Sequence, residues 1–181
     1  SPLFTGDAES GPSEIRRYII ENDWLEAIVQ LPNDVFYNTG ISTYVWIISK
    51  SKPSHRIGKI QLIDASQMYE KRRKSIGNKR VDLTEPCRDA IVKAFGDFRE
   101  KLYDFDKGYQ VESKIFNNED FGYYKITVES PERDETGNKI LKKGKPVADT
   151  QKRDTENVPM IIGRAQNEVI AEYLEKEVLP Y

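Results

Sequence analysis

The fold class this sequence predicts is α/β: the end of an open sheet whose last two strands run antiparallel, then a mixed α+β region and a C-terminal helix. Three observations carry that prediction. Residues 25–31 and 43–49 are strongly apolar, and in the second run both alternating sets are non-polar, Tyr44, Trp46 and Ile48 against Val45 and Ile47. Such runs suit central strands covered on both sides. The eleven residues between them are too few for a helical crossover, so the strands, as neighbours, return antiparallel. A helical pattern over residues 13–22 feeds directly into the first of them.

Residues 5–11, TGDAESG, are turn-rich. Pro12 suits a first helical turn because its missing N–H costs nothing there, and Glu14 complements the same end of the helix dipole. Ile15, Tyr18, Ile19 and Asn22 recur at helical spacing, with Ile20 and Trp24 extending the buried side and Arg16, Arg17 and Glu21 facing out. After the two strands, residues 50–56 form a polar, proline-broken loop. Residues 57–63 alternate Lys59 and Gln61 with Ile60 and Leu62, the pattern of a half-exposed edge strand. Thr84 is a good N-cap for a helix over 85–100, whose stripe is Cys87, Ile91, Ala94, Phe95 and Phe98. Residues 102–109 read as an aromatic, acidic turn. A strand follows at 123–129 with Tyr124, Ile126 and Val128 on one face. Residues 132–156 hold seven basic against six acidic side chains and few apolar ones, a composition that favours a flexible or externally supported segment. A short ribbon turning at Gly137 and Asn138 is the alternative there. The last helix, over 163–177, offers a broad apolar face of Ala165, Val169, Ile170, Tyr173, Leu174 and Val178, with little between residues 130 and 160 for it to cover.

The 181 residues hold 28 basic and 30 acidic side chains, so bulk charge does not steer the chain to nucleic acid and any such contact must be local. A single cysteine, Cys87, excludes an intrachain disulfide and a cysteine-based zinc cluster, and reads as a buried thiol. The lone histidine, His55, reads as a surface residue, so no metal site is expected. No run of 18 apolar residues occurs, which leaves no helical membrane span, and a cytoplasmic setting fits the cysteine usage. The opening SPLFTG suggests a piece of something longer.

Two stretches are candidates for function. The loop between the antiparallel strands carries Asn33, Asp34, Phe36, Tyr37, Asn38 and Thr39. Rings beside short polar side chains suit a ligand-facing surface; the alternative is a loop folded back on its own aromatics. The second stretch is YEKRRKSIGNKR, in which Lys71, Arg72, Arg73, Lys74, Lys79 and Arg80 are opposed only by Glu70, with a turn at Gly77 and Asn78. It reads either as solvated surface or as a strip that follows a phosphate backbone. No glycine-rich cofactor loop, Walker lysine or paired catalytic histidine is present: the glycines at 6 and 11 do not follow a strand.

Longer blocks allow a comparison with families. The run SPLFTGDAESGPSEIRRYIIENDWLEAIVQLPNDVFYNTGISTYVWIISKSK closely resembles the modification subunit of type I restriction–modification systems, an adenine-N6 DNA methyltransferase. LIDAS before KRRKSIGNKR, KIFNNEDFGYYKITVESP, DTQKRDTENVP and EYLEKEVLPY resemble it too, in order along nearly the whole chain. The resemblance implies S-adenosylmethionine as cofactor and a mostly parallel Rossmann-like sheet with an antiparallel last strand, of which this chain would be the C-terminal end. It divides the chain into 1–66, the end of the methyltransferase domain; 67–130, a helix and strand region with the basic patch; 131–160, a polar segment; and 161–181, the C-terminal helix. The family's glycine motif and its Asn-Pro-Pro-Phe/Tyr catalytic motif do not occur here, so no catalytic residue is expected in this chain and the piece alone should be inactive.

By the same resemblance, Phe36 is the first candidate to stack on an extruded target base, Tyr37 the second, with Asn38 and Thr39 supporting the loop. Implied partners are DNA, the specificity subunit, a second modification subunit and the restriction subunit. Val169, Tyr173 and Leu174 are the candidates to meet the specificity subunit, against the rival reading that they pack on the chain's own strands. The alternative function is a non-catalytic module that binds DNA or the specificity subunit.

Overall fold

The computed structural model describes residues 6–105, 108–161 and 163–178. The chain divides into two compact units, Ser1–Asn118 and Glu119–Tyr181.

In the first unit, helix α1 (Gly11–Glu21) starts at Ser10, whose hydroxyl oxygen accepts from the Ser13 amide, with proline in the first turn. Strands β1 (Leu25–Gln30) and β2 (Tyr44–Ile48) pair antiparallel, Ile28 opposite Trp46 and Gln30 opposite Tyr44, as the short link requires. A polar connection with one tight 3-10 turn, Ser54–Arg56, then carries the chain to the other side of β1. There β3 (Lys59–Asp64) pairs with β1 in parallel. A separate hairpin follows, β4 (Glu70–Ile76) and β5 (Lys79–Asp82). Helix α2 (Glu85–Asp97) leads back to β6 (Lys101–Phe105) and β7 (Tyr109–Asn117). The main sheet has the order β2-β1-β3-β7-β6, and every neighbouring pair in it except β1–β3 is antiparallel.

Several expectations are corrected here. β2 is an edge of this sheet, with Tyr44, Val45 and Ile48 exposed by 41, 45 and 50%, so it is not covered on both sides by the described residues. β3 is central instead of an edge. Its Gln61 is fully buried, because partners distant in sequence answer its polarity. Residues 102–105 are strand and not turn: Leu102, Tyr103 and Phe105 enter β6, and Tyr103 is buried, while residues 106 and 107 of the expected turn lie outside the described residues. On α1, Ile15 and Tyr18 are exposed, while Ile19 and Ile20 are half-buried. Thr84 does precede α2, but its hydroxyl lies 3.3 Å from the Cys87 sulfur and caps no amide. Cys87 is buried and His55 exposed, as read.

Helix α2 lays Cys87, Ala90 and Ala94 on one face of the sheet against Val29, Leu31, Ile63, Ala65, Met68, Tyr103 and Val111. Small residues on the helix let it sit close. Inside this core lies a polar centre. The buried Arg56 guanidinium donates to the Phe95 carbonyl and, at 3.2 Å, to Gln61 Oε1. Gln61 Nε2 donates to the Ala94 carbonyl at 2.9 Å and to Ser113 Oγ at 2.8 Å. The rings of Phe95 and Phe98 lie against the guanidinium at 4.1 and 4.3 Å.

A second polar knot ties the end of α1 to the far ends of β3 and β7. Asp23, at φ +56, accepts from Lys52 Nζ (2.6 Å), Asn118 Nδ2 (2.8 Å) and the Gly58 amide (3.0 Å). Burial pushes its carboxyl pKa up, but the bonds from Lys52, Asn118 and Gly58 outweigh that and hold it below the ordinary carboxylate value. Asp23→Asn is therefore expected to cost about 1–3 kcal/mol of stability at neutral pH. A carboxyl depressed in the folded state contributes above its unfolded pKa and loses that contribution as pH falls through the folded value. Urea unfolding should thus show the full gap between parent and variant above about pH 5 and a shrinking gap below about pH 4; a gap independent of pH would rule out the ionised carboxylate as its source.

In the second unit, β8 (Tyr123–Val128) pairs antiparallel with β11 (Asp154–Pro159), and Tyr124, Ile126 and Val128 share a half-buried face as read. Between them runs an exposed ribbon that turns at Gly137 and again between β9 (Leu141–Lys142) and β10 (Lys145–Pro146). Helix α3 (Gln166–Tyr173) continues into a wider π-helical turn, Leu174–Val178. The expectation that nothing between 130 and 160 would receive this helix is corrected: α3 lies on β11, and Tyr173 donates its hydroxyl to Glu156 at 3.0 Å. None of the described helices is long and apolar enough to cross a membrane.

Candidate nucleic-acid interface

The loop of residues 32–43 is built from both ends inward. Pro32 and Val35 are buried beneath it. The Leu31 amide donates to the Thr43 carbonyl at 2.8 Å, and Ser42 Oγ donates to Asn33 Oδ1 at 2.7 Å, which closes its neck. The tip folds over a single bridge between Phe36 and Thr39. Thr39 Oγ1 accepts from the Ile41 amide at 3.3 Å, so Thr39 supports the loop from within, while Asn38 is exposed. Phe36 and Tyr37 stand out from this frame, exposed by 47 and 56%. The rings are not folded under the loop.

The basic run forms the β4–β5 hairpin, turning at Gly77 and Asn78 as its sequence suggested. Its six cations are not equivalent. Arg72 Nη1 reaches both oxygens of Asp82, at 2.7 and 2.6 Å, and Lys79 reaches Asp82 at 3.1 Å. Bonds from Arg72 and then Lys79 hold the Asp82 carboxyl below its ordinary pKa. Arg72 and Lys79 are thus engaged within the hairpin. Lys71, Arg73, Lys74 and Arg80 are exposed and form no ion pair among the described residues.

The two candidate stretches, separate in sequence, meet. The Asn78 amide donates to the Tyr37 carbonyl at 2.9 Å, and the Arg80 and Val81 amides donate to the Asp34 carbonyl at 3.0 and 3.4 Å. Lys79 Nζ sits 5.4 Å from the centre of the Tyr37 ring. Asp34 adopts φ +58 to present its carbonyl this way. Two exposed rings on the loop and four exposed cations on the hairpin therefore belong to elements joined by backbone bonds. Rings offer stacking faces to unpaired bases, and the cations offer charge to phosphates. Sequence reading did not foresee this docking; the one signal for it was the glycine at position 77.

The remaining candidates lie in the second unit. Val169 is buried, Tyr173 is bonded to Glu156, and Leu174 is half-buried.

The chain matches the family described as N-6 DNA Methylase over residues 2–135. It is similar to the type I restriction enzyme MjaIX methylase subunit of Methanocaldococcus jannaschii, 39% identical over 96 residues, which are 53% of this chain and 16% of that one. The MjaVII methylase subunit of the same organism is 45% identical over 69 residues, 38% of this chain and 11% of that one. The chain thus spans roughly a sixth or less of the length of these relatives. A solved type I restriction-modification system methyltransferase subunit from Streptococcus thermophilus superposes with a TM-score of 0.49 at 24% identity, over 65% of this chain and 21% of that one.

Proposed function

The chain belongs to the N-6 DNA methylase family, and from that premise we propose that it is the part of an adenine-N6 DNA methyltransferase, the modification subunit of a type I restriction–modification system, that meets the target base and its backbone. The supporting observation is the pair of exposed rings, Phe36 and Tyr37, on a loop bonded to a cationic hairpin. The reactive nitrogen of adenine is buried in duplex DNA, so the base must leave the stack. A ring in the receiving site replaces lost stacking, and Phe36 is the better placed because Tyr37 already faces Lys79. On this reading β1 and β2 are the last two strands of a Rossmann-like methyltransferase sheet.

The parent enzyme would take its methyl group from S-adenosylmethionine. The described residues do not fit that cofactor: α1 starts from a turn, α2 follows β5 without a glycine and opens on Glu85 and Pro86, and α3 follows Ala165. The chain also holds no Asn-Pro-Pro motif to grip the adenine amino group. Incubated alone with methyl-labelled donor and adenine-containing DNA, the chain is expected to transfer no label; incorporation above a protein-free control would refute this.

Lys71, Arg73, Lys74 and Arg80 supply the backbone contacts, and Arg72 and Lys79 brace the hairpin. Replacing the four exposed cations by glutamine in the full methyltransferase should weaken binding to all sequences alike. The slope of log K against log salt should flatten by about 0.9 for each phosphate that the protein no longer neutralises. An unchanged slope would return the hairpin to the alternative, solvated surface or a subunit contact. We place the assembly in the cytoplasm, with the specificity subunit, a second modification subunit and the restriction subunit as partners. Of the α3 candidates, Leu174 and Tyr173 are the ones with surface left for the specificity subunit, since Val169 is occupied within its own unit.

A further inference from the structure

We propose that Gly77 is a positioning residue for the aromatic loop, and that the β4–β5 hairpin is the strut that holds Phe36 ready for an extruded base. The inference rests on the reading of Phe36 as the stacking ring. The hairpin grips the loop backbone on either side of Phe36, at the Asp34 carbonyl through Arg80 and Val81 and at the Tyr37 carbonyl through Asn78. The loop's other bonds close its neck, from Leu31 to Thr43 and from Ser42 to Asn33, or lie within the tip itself, at the Phe36–Thr39 bridge and from Ile41 to Thr39. The grip needs close approach. A Cβ at position 77 would lie 2.7 Å from the Tyr37 carbonyl oxygen, nearer than real side chains come to backbone, and the turn there needs φ +58. Asp82, holding Arg72 and Lys79, keeps the strut itself in shape. An element that seats on phosphates through Lys71, Arg73, Lys74 and Arg80 therefore also sets where the ring stands, so presentation of the ring follows correct seating on the backbone.

The test uses a full methyltransferase that carries this chain. Gly77→Ala is compared with Gly144→Ala, which imposes a similar left-handed strain, at φ +77, in a turn where an added Cβ meets nothing within 4 Å. Misplacing a contact group by an ångström or so costs on the order of a hundredfold in rate. Gly77→Ala should lower kcat by up to about a hundredfold, and by no more than Phe36→Ala does, and reduce the fluorescence of an extruded 2-aminopurine, with the salt slope of DNA binding unchanged. Gly144→Ala should match the parent. Because Gly77 acts through Phe36, the double variant with Phe36→Ala should be no slower than Phe36→Ala alone. If the two effects multiply, or Gly77→Ala methylates like the parent while Phe36→Ala is slow, positioning is wrong and stacking survives. If Phe36→Ala is as fast as the parent, stacking falls and takes this inference with it. Hydrogen exchange on the unmodified protein guards against a variant that fails to fold: the Asn78 and Arg80 amides should be protected, and exchange at unprotected rates would remove the grip itself.

Discussion

Arg56→Ala is expected to destabilise the first unit by about 1–3 kcal/mol for each of the two acceptors it leaves unpaired. Arg56 is 4% exposed, and its guanidinium lies against two phenylalanine rings. Burial lowers its hold on the proton while the Glu26 carboxylate raises it again, and an arginine in a protein stays charged throughout the working range. Truncation strands Gln61 Oε1 and the Phe95 carbonyl without their donor, inside the core that seats α2 on the sheet. An unpaired buried acceptor costs more than the bond it made. Lysine should recover only part of the loss, because it has neither the planar face to lie against the rings nor the fork to reach both acceptors. Equilibrium urea unfolding of the parent, Arg56→Ala and Arg56→Lys measures this directly. Three coincident curves would show that the guanidinium adds nothing to the fold.

Phe36→Ala in the full methyltransferase is expected to slow methylation by about five- to 150-fold, the equivalent of about 1–3 kcal/mol of base–aromatic stacking. Cofactor affinity should stay near that of the parent, because on the proposed reading the ring meets the base and not the methyl donor. A 2-aminopurine at the target position reports extrusion by its fluorescence, which should fall with the ring. Tyr37→Ala should do less, since Tyr37 contributes mainly its carbonyl, which accepts from Asn78 whatever the side chain. A fast Phe36→Ala beside a slow Tyr37→Ala would exchange the two roles. Parent-like behaviour in both would end the stacking proposal.

Much of the fold was legible where local pattern and local geometry agree. The antiparallel return of β1 and β2 followed from an eleven-residue link. The β4–β5 turn followed from Gly77 and Asn78, and α1, α2 and β8 from their apolar spacing. The misreadings share one cause. Lys59 and Gln61 alternate with apolar residues, so β3 looked like an edge; the polarity of Gln61 is met by Arg56, Ala94 and Ser113, which no local window contains. In residues 102–105 the flanking acids suggested a turn, but Tyr103 is buried and these residues pair with β7. The C-terminal helix seemed to lack a surface because β11 reads as a charged stretch, although its Val158 is buried.

By itself the sequence determined which residues are strand and helix wherever apolar periodicity and chain length leave one solution, which loop carries the rings, and which run carries the charge. Only the tertiary structure decided that β3 crosses to the far side of β1, that Asp82 withdraws Arg72 and Lys79 from the charged surface, and that the hairpin grips the aromatic loop. The crossing and the grip depend on backbone amides and carbonyls finding partners across the fold, and every residue carries those groups whatever its side chain, so they leave almost no mark on the sequence. The Asp82 pairing depends on side chains that the folded hairpin brings together.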